Sequence, residues 1–273
     1  MRLGLKVNPG GWPEAAEWAG IAEDTGFDSL WTGDNLRNSR DPAIPVHDGP
    51  TLLSAWAATT VDIRIGLLIA NLAYRQPAML AKQAVTLDHI SRGRFDLGIG
   101  SGLWPADHSM AGVPFWPGQE RAARLEEFVG AVDRLLSGNV SDHSGTYYSY
   151  SDAAMSPAPV QDRIPLIVAA NAPRALAVAA TYGDAWVTFT GAAGADEFYE
   201  ATVERCRQLS GGRSIRKILL AYGSVNPWSS LDALPRMVER YGALGFDEIV
   251  CYAPKTDERA VFDKTVSTWD TWR

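Results

Sequence analysis

Short apolar runs alternate with helix-period segments from one end of the chain to the other, and this alternation restricts the fold more than any other feature. Strand-like runs fall at 3–9 (LGLKVNP), 27–33 (FDSLWTG), 62–71 (DIRIGLLIAN), 91–102 (SRGRFDLGIGSG), 165–171 (PLIVAAN), 184–190 (DAWVTFT), 215–225 (IRKILLAYGSV) and 246–254 (FDEIVCYAP). Helical spacing fills 12–26, 51–60, 77–89, 120–138, 173–183, 195–211, 231–245 and 257–270. The punctuation agrees, with Gly26 and Gly138 as stops and Pro77 and Pro173 as starts. Eight strand–helix pairs predict an α/β fold, the (β/α)8 TIM barrel. A doubly wound open sheet shares the alternation. The barrel is favoured because 273 residues is near the roughly 250 typical of barrels, the units are evenly spaced, and no Pro/Gly/Ser linker divides the chain. The expectation is one domain over 1–273, with irregular stretches at 34–50, 103–118 and 139–164, since long loops in compact domains usually carry function.

Composition removes several function classes. A net charge of -7 and no Lys/Arg run longer than two residues argue against a nucleic-acid partner. No apolar stretch approaches the roughly 18 residues needed to span a membrane, and the start MRLGLKVNPGG lacks the pattern of a signal peptide. A cytoplasmic protein is expected. Cys206 and Cys251 fall on a predicted helix and strand and read as buried thiols. His47, His89, His108 and His143 are far apart, without the spacing of metal ligands, and read as surface or loop histidines.

The stretch SRGRFDLGIGSG carries the functional signal. Side chains alternate along a strand, so Asp96, Gly98, Gly100 and Gly102 share one face while Phe95, Leu97, Ile99 and Ser101 share the other. The apolar set suits the helix-facing side. The glycines then face the barrel axis at the carboxyl end, where active sites of this fold lie, and their missing side chains let a flat ligand approach the backbone. The dinucleotide fingerprint fails, because Leu103 stands at its third glycine.

That stretch, with FDSLWTGDN (27–35), YRQPAMLAKQAVTLDHIS (74–91), GVPF (112–115) and PAPVQDRIPLIVAANAPRALAVAATYGDAW (157–186), resembles the bacterial-luciferase-like oxidoreductases almost end to end. The resemblance implies a barrel binding FMN or the deazaflavin coenzyme F-420 at the carboxyl face. It implies first a two-component monooxygenase using reduced, exchangeable FMN and O2 on a small organic substrate, with a separate flavin reductase as partner and a homodimer as the assembly. A deazaflavin-dependent reductase or dehydrogenase is the alternative, and a non-catalytic flavin-binding barrel is the alternative of another class. Carried over by position, the resemblance implies that Leu68, Ile69, Gly100, Ser101 and Gly102 line the ring, with a cis peptide at Leu68–Ile69. It also implies that Ala169, Ala170, Asn171 and Arg174 form the phosphate segment, a strand end opening into a helix start. Thr188 and Thr190 follow at the next strand end.

Two departures from the family pattern assign roles. Asn35, beside Asp34, replaces a frequent histidine, so Asp34 and Asn35 are read as catalytic positioning groups; an amide does not exchange protons near neutral pH. The segment LWPADHSM (103–110) has Pro105 and Asp107 where acids are usual. Trp12, Trp104, Asp107, Phe115 and Trp116 are read as the substrate pocket, with no metal expected.

Overall fold

A computed structural model of the chain describes residues 1–39, 41–191, 196–223 and 225–269. Its elements are β1 (Arg2–Lys6), α1 (Trp12–Asp24), β2 (Ser29–Thr32), α2 (Gly49–Thr59), β3 (Arg64–Asn71), α3 (Pro77–Ile90), β4 (Phe95–Gly100), α4 (Pro105–Met110), α5 (Gly118–Leu136), β5 (Ser141–Ser144), β6 (Ser149–Ala153), β7 (Leu166–Ala169), α6 (Pro173–Tyr182), β8 (Ala185–Phe189), α7 (Asp196–Leu209), β9 (Arg216–Ala221), α8 (Ala233–Ala243), β10 (Glu248–Tyr252) and α9 (Arg259–Val266). Eight parallel strands close into a barrel in the order β1-β2-β3-β4-β7-β8-β9-β10, and β10 pairs back to β1. The expected TIM barrel is therefore the fold. Prolines stand in the first turns of α1, α2, α3, α4 and α6, where the missing N–H costs nothing and the fixed φ suits the helix.

Two irregular stretches hold more structure than their sequences show. Segment 103–118 contains α4, and 139–164 contains the antiparallel hairpin β5–β6. Residues 195, 224 and 270 of the predicted elements, and Arg40 of the 34–50 loop, lie outside the described residues.

Strand alternation divides the core in two. Leu3, Leu5, Phe95, Leu97 and Ile99 pack outward against the helices, in one cluster with Trp18, Trp56, Phe128 and Phe262. Trp31, Leu68, Ile167, Val187, Ile218 and Val250 fill the barrel interior, with Ile69, Ala169 and Leu220 against them. Trp31 has room because its neighbours lack side chains: a Cβ at Gly66 would overlap its ring, and one at Gly4 would stand 2.7 Å from its Nε1.

Below Trp31 the barrel is plugged by polar groups. Trp31 Nε1 donates to Ser29 Oγ (2.7 Å), which donates to Glu248 Oε1 (2.7 Å). Arg64 forks onto Asp96 at 2.7 and 3.2 Å, and Arg216 lies 3.5 Å from Asp96 and 3.6 Å from Glu248. Asp96 and Glu248 are fully buried. Asp96 thus faces the axis as expected, at the amino end of the strip whose carboxyl end is glycine.

Candidate active site

At the carboxyl end, the inward face draws first on β1, β3 and β4, with Ala169 of β7 and Leu220 of β9 beside them. On β1, Leu3 and Leu5 point outward, so Gly4 and Lys6 point inward. Lys6 is only 5% exposed, its Nζ donates to the Leu68 carbonyl, and the Tyr252 ring centroid is 5.8 Å away. Burial pushes its pKa down to about 7, because an ammonium loses hydration that one carbonyl does not replace. On β3, the Leu68–Ile69 peptide is cis and the pairing to β4 shifts register between Leu67 and Ala70. Ile69 then lies over β4: a Cβ at Gly100 would overlap its Cδ1 and stand 3.6 Å from the Ala169 Cβ.

Gly102 has a different reason to be glycine. It lies beyond β4 with φ +73, a left-handed conformation that side chains disfavour. A Cβ there would also meet Asn71 Oδ1 at 2.5 Å and His108 Nε2 at 2.8 Å. The three glycines are therefore not one strip: Gly98 and Gly100 lie within the strand, and Gly102 makes the turn.

The loops above are tied by buried carboxylates. Asp107 accepts from Asn35 Nδ2 (2.9 Å) and from the Leu36 N–H (3.0 Å); it holds the β2 loop in place. Asp34 is paired with Arg75, whose Nε donates to Oδ2 at 3.0 Å and whose Nη2 donates to Oδ1, and it accepts from the Asn71 N–H at 3.3 Å. Burial raises the Asp34 carboxyl above its ordinary value while the guanidinium draws it back. Arg75 also bonds Asp48, the N-cap of α2.

His108 corrects the expectation of surface or loop histidines. It is fully buried, because α4 turns it inward, with Nδ1 2.8 Å from the Pro114 carbonyl and Nε2 3.3 Å from that of Gly102. Phe115 and Trp116 present edge contacts to it at 5.0 and 5.1 Å. Trp116 is further held by Arg124, 4.0 Å over its ring. Trp12, Trp104 and Phe115 are exposed.

On the far side, Thr188 Oγ1 donates to Asn171 Oδ1 (2.5 Å), and the Ala170 N–H donates to Val187 (3.2 Å). Thr190 both donates to the Tyr222 carbonyl and accepts from its N–H, at 2.5 and 2.7 Å, so its hydroxyl ties β8 to the end of β9. No side chain caps α6 at its N-cap Ala172, which leaves the N–H groups of its first turn without a side-chain partner. Arg174 is exposed, bonds Glu126 at 3.0 Å, and lines a cleft of about 340 Å³ between α5 and α6.

The luciferase-like monooxygenase family matches residues 2–229. The chain belongs to that family. It is 32% identical over 212 residues to the uncharacterised protein Rv0940c of Mycobacterium tuberculosis, covering 74% of this chain and 72% of that one. It is 32% identical over 195 residues to an F420-dependent glucose-6-phosphate dehydrogenase of Beutenbergia cavernae, covering 70% of this chain and 57% of that protein. It is 36% identical over 138 residues to the pyrimidine monooxygenase RutA of a Bradyrhizobium, covering 49% and 37%. Among solved structures, an F420-dependent secondary alcohol dehydrogenase superposes with a TM-score of 0.87 at 19% identity, over 100% of this chain and 99% of that one. This family member is accordingly an oxidoreductase of the flavin or deazaflavin kind.

Of the sequence-predicted site residues in this luciferase-like barrel, Leu68, Ile69, Gly100 and Ala169 meet on one inward strip, and Asp34, Asn35 and Asp107 meet in the loops beside it. Lys6, Asn71, Arg75 and His108 escaped sequence reasoning. The signal for Lys6 was present: in LGLKV it alternates with the leucines, on the face of Gly4.

Asp107 grips Asn35 through its amide nitrogen, which fixes the direction in which the rest of the amide faces. Asn35→Ala is expected to lower turnover about tenfold, the order of one lost positioning hydrogen bond, without moving the apparent pKa values of the pH–rate profile. A displaced limb in that profile would contradict the assignment.

Proposed function

We propose that this chain moves hydride between a small organic alcohol or carbonyl compound and the deazaflavin coenzyme F-420. The observation that carries the reading is the reach of the likeness: an F420-dependent dehydrogenase aligns over 70% of the chain, a pyrimidine monooxygenase over 49%. The residues fit such a ring. Ile69, Ala169 and Leu220 form an apolar inner surface, Gly100 leaves it without a protruding Cβ, and Lys6, Asn35, Asn71 and Asn171 supply polar groups around it, as small-molecule sites require.

When bound, a deazaflavin accepts or gives a hydride and does not activate oxygen. The chain supplies the rest. Leu68, Ile69, Gly100 and Ser101 would hold the ring, and the open first turn of α6, with Asn171 and Arg174, would hold the phosphate. The exposed Trp12, Trp104 and Phe115 would exclude water from an apolar substrate.

A second reading, a monooxygenase using reduced FMN delivered by a separate reductase, is favoured by the 36% identity to RutA. Fluorescence titration separates the two. Deazaflavin is expected to bind at least tenfold more tightly than oxidised or reduced FMN; tighter binding of reduced FMN under anaerobic conditions would overturn the first reading in favour of the second.

A further inference from the structure

Lys6 is a buried amine with no counter-ion. Among the described residues no carboxylate oxygen lies within 4.0 Å of its Nζ, and its one hydrogen-bond acceptor is the Leu68 carbonyl. The charged and titratable groups on the flanking elements are otherwise engaged or distant. Asp34, after β2, is turned to Arg75, and Tyr252 on β10 offers its ring at 5.8 Å. An ammonium has three donors to satisfy, so a lysine held this way either waits neutral or waits for an oxygen.

Gly33 leaves the amine without a neighbouring side chain on one flank. A Cβ built at Gly33 would stand 3.6 Å from Lys6 Nζ, 3.3 Å from Asn35 Oδ1 and 3.8 Å from Asn8 Oδ1. Three polar side chains from two segments, the ends of β1 and β2, thus converge around the side chain that Gly33 lacks. The arrangement sits beside the carbonyl of Leu68, at the edge of the inward strip.

We propose that Lys6 is the acid–base residue of this site, and that the flank left bare by Gly33, between Lys6, Asn8 and Asn35, receives the reacting oxygen of an alcohol or carbonyl substrate. The inference rests on the hydride-transfer reading above. In the oxidative direction the neutral Nζ takes the hydroxyl proton, the O–H electron pair becomes the second bond of the new carbonyl, and the C–H pair leaves as hydride to the oxidised deazaflavin. Lys6 then passes its proton to solvent; in the reductive direction the ammonium returns it to the nascent alkoxide. A neutral amine is available for this because burial has brought its pKa to about 7, near the optimum for proton exchange at neutral pH.

Reductive alkylation of the apoprotein tests the assignment without any turnover. Propanal with cyanoborohydride marks neutral amines, and peptide mass spectrometry separates Lys6 from Lys82, Lys217, Lys255 and Lys264. At pH 7 Lys6 is expected to label at least tenfold faster than the other four, with a rate midpoint near pH 7. Gly33→Ala, whose added methyl would stand 3.6 Å from Nζ and press at 3.3 Å on the movable Asn35 amide, is expected to keep the fold and slow Lys6 labelling at least tenfold. Labelling of Lys6 no faster than its surface counterparts, a midpoint near pH 10, or indifference to Gly33→Ala would each overturn the proposal. The coenzyme titration decides the underlying reading separately, since labelling requires no coenzyme.

Discussion

Gly98→Ala is expected to destabilise the protein by about 3 kcal/mol, the upper end of the range for overpacking, although it adds a single methyl. Its Cβ would overlap the Leu67 carbonyl oxygen and lie 2.8 Å from Ile69 Cγ2. The carbonyl belongs to the backbone of β3, just before the register shift to β4, and cannot rotate away. Gly100→Ala, two residues on, meets the tip of the Ile69 side chain, which can swing into the mouth; its cost should stay near 1 kcal/mol. Gly100→Val should then abolish ring binding in a protein that still folds. Urea titrations and coenzyme binding on the same samples check both halves. Equal midpoints for Gly98→Ala and Gly100→Ala, or normal ring binding by Gly100→Val, would contradict this division between packing and binding.

The second large effect lies at the opposite end of the barrel. Asp96→Ala removes the carboxylate shared by Arg64 and Arg216 and leaves two guanidinium groups facing a low-dielectric interior. The expected loss is about 3 kcal/mol. Glu248 should behave differently. Burial raises its pKa above the ordinary 4.5, against the pull of Arg216 and Arg2. A carboxyl raised on folding contributes stability that is present below its unfolded pKa and lost as pH rises through its folded one. Glu248→Gln should therefore cost less at pH 7 than Asp96→Ala. Its stability relative to wild type should improve as pH rises from about 4 to 7. Denaturant midpoints across that range test the sign, and a relative stability that falls with pH would show Glu248 to be held as a carboxylate.

The architecture was legible because period and punctuation agree along the chain. The cis peptide at Leu68–Ile69 and the inward placement of Gly98 and Gly100 followed from family likeness and strand alternation. What escaped was decided by short local structure or by contacts between distant segments. Helix α4 is six residues long, too short to show a period, yet it buries His108. Hairpin β5–β6 is mostly polar, with Ser141, Asp142, Ser149 and Asp152, and only Tyr150 and Ala153 packing against the core, too few to announce it by alternation. The junction of Asp107 with Asn35 joins residues 72 apart. Arg75, which binds Asp34 and Asp48 together, reads in the sequence as one more loop arginine. For Lys6 the alternation was visible, but not that no carboxylate would be brought to meet it. The coenzyme and the substrate are less legible still, since a flat apolar surface with a polar edge suits more than one tricyclic ring.

Trp31 and the salt-bridged floor beneath it make the barrel a blind well. The filled far end leaves the carboxyl mouth as the way in and out for any molecule that reaches the inner strip. Depth then sets sequence in time. A ring seated on Ile69 and Gly100, as proposed, would arrive before the substrate above it and outstay the product. On the proposed function, exchange of spent coenzyme would wait on the departure of product, and the rate at which this single doorway clears would set a ceiling on turnover that no improvement in the chemistry below could lift.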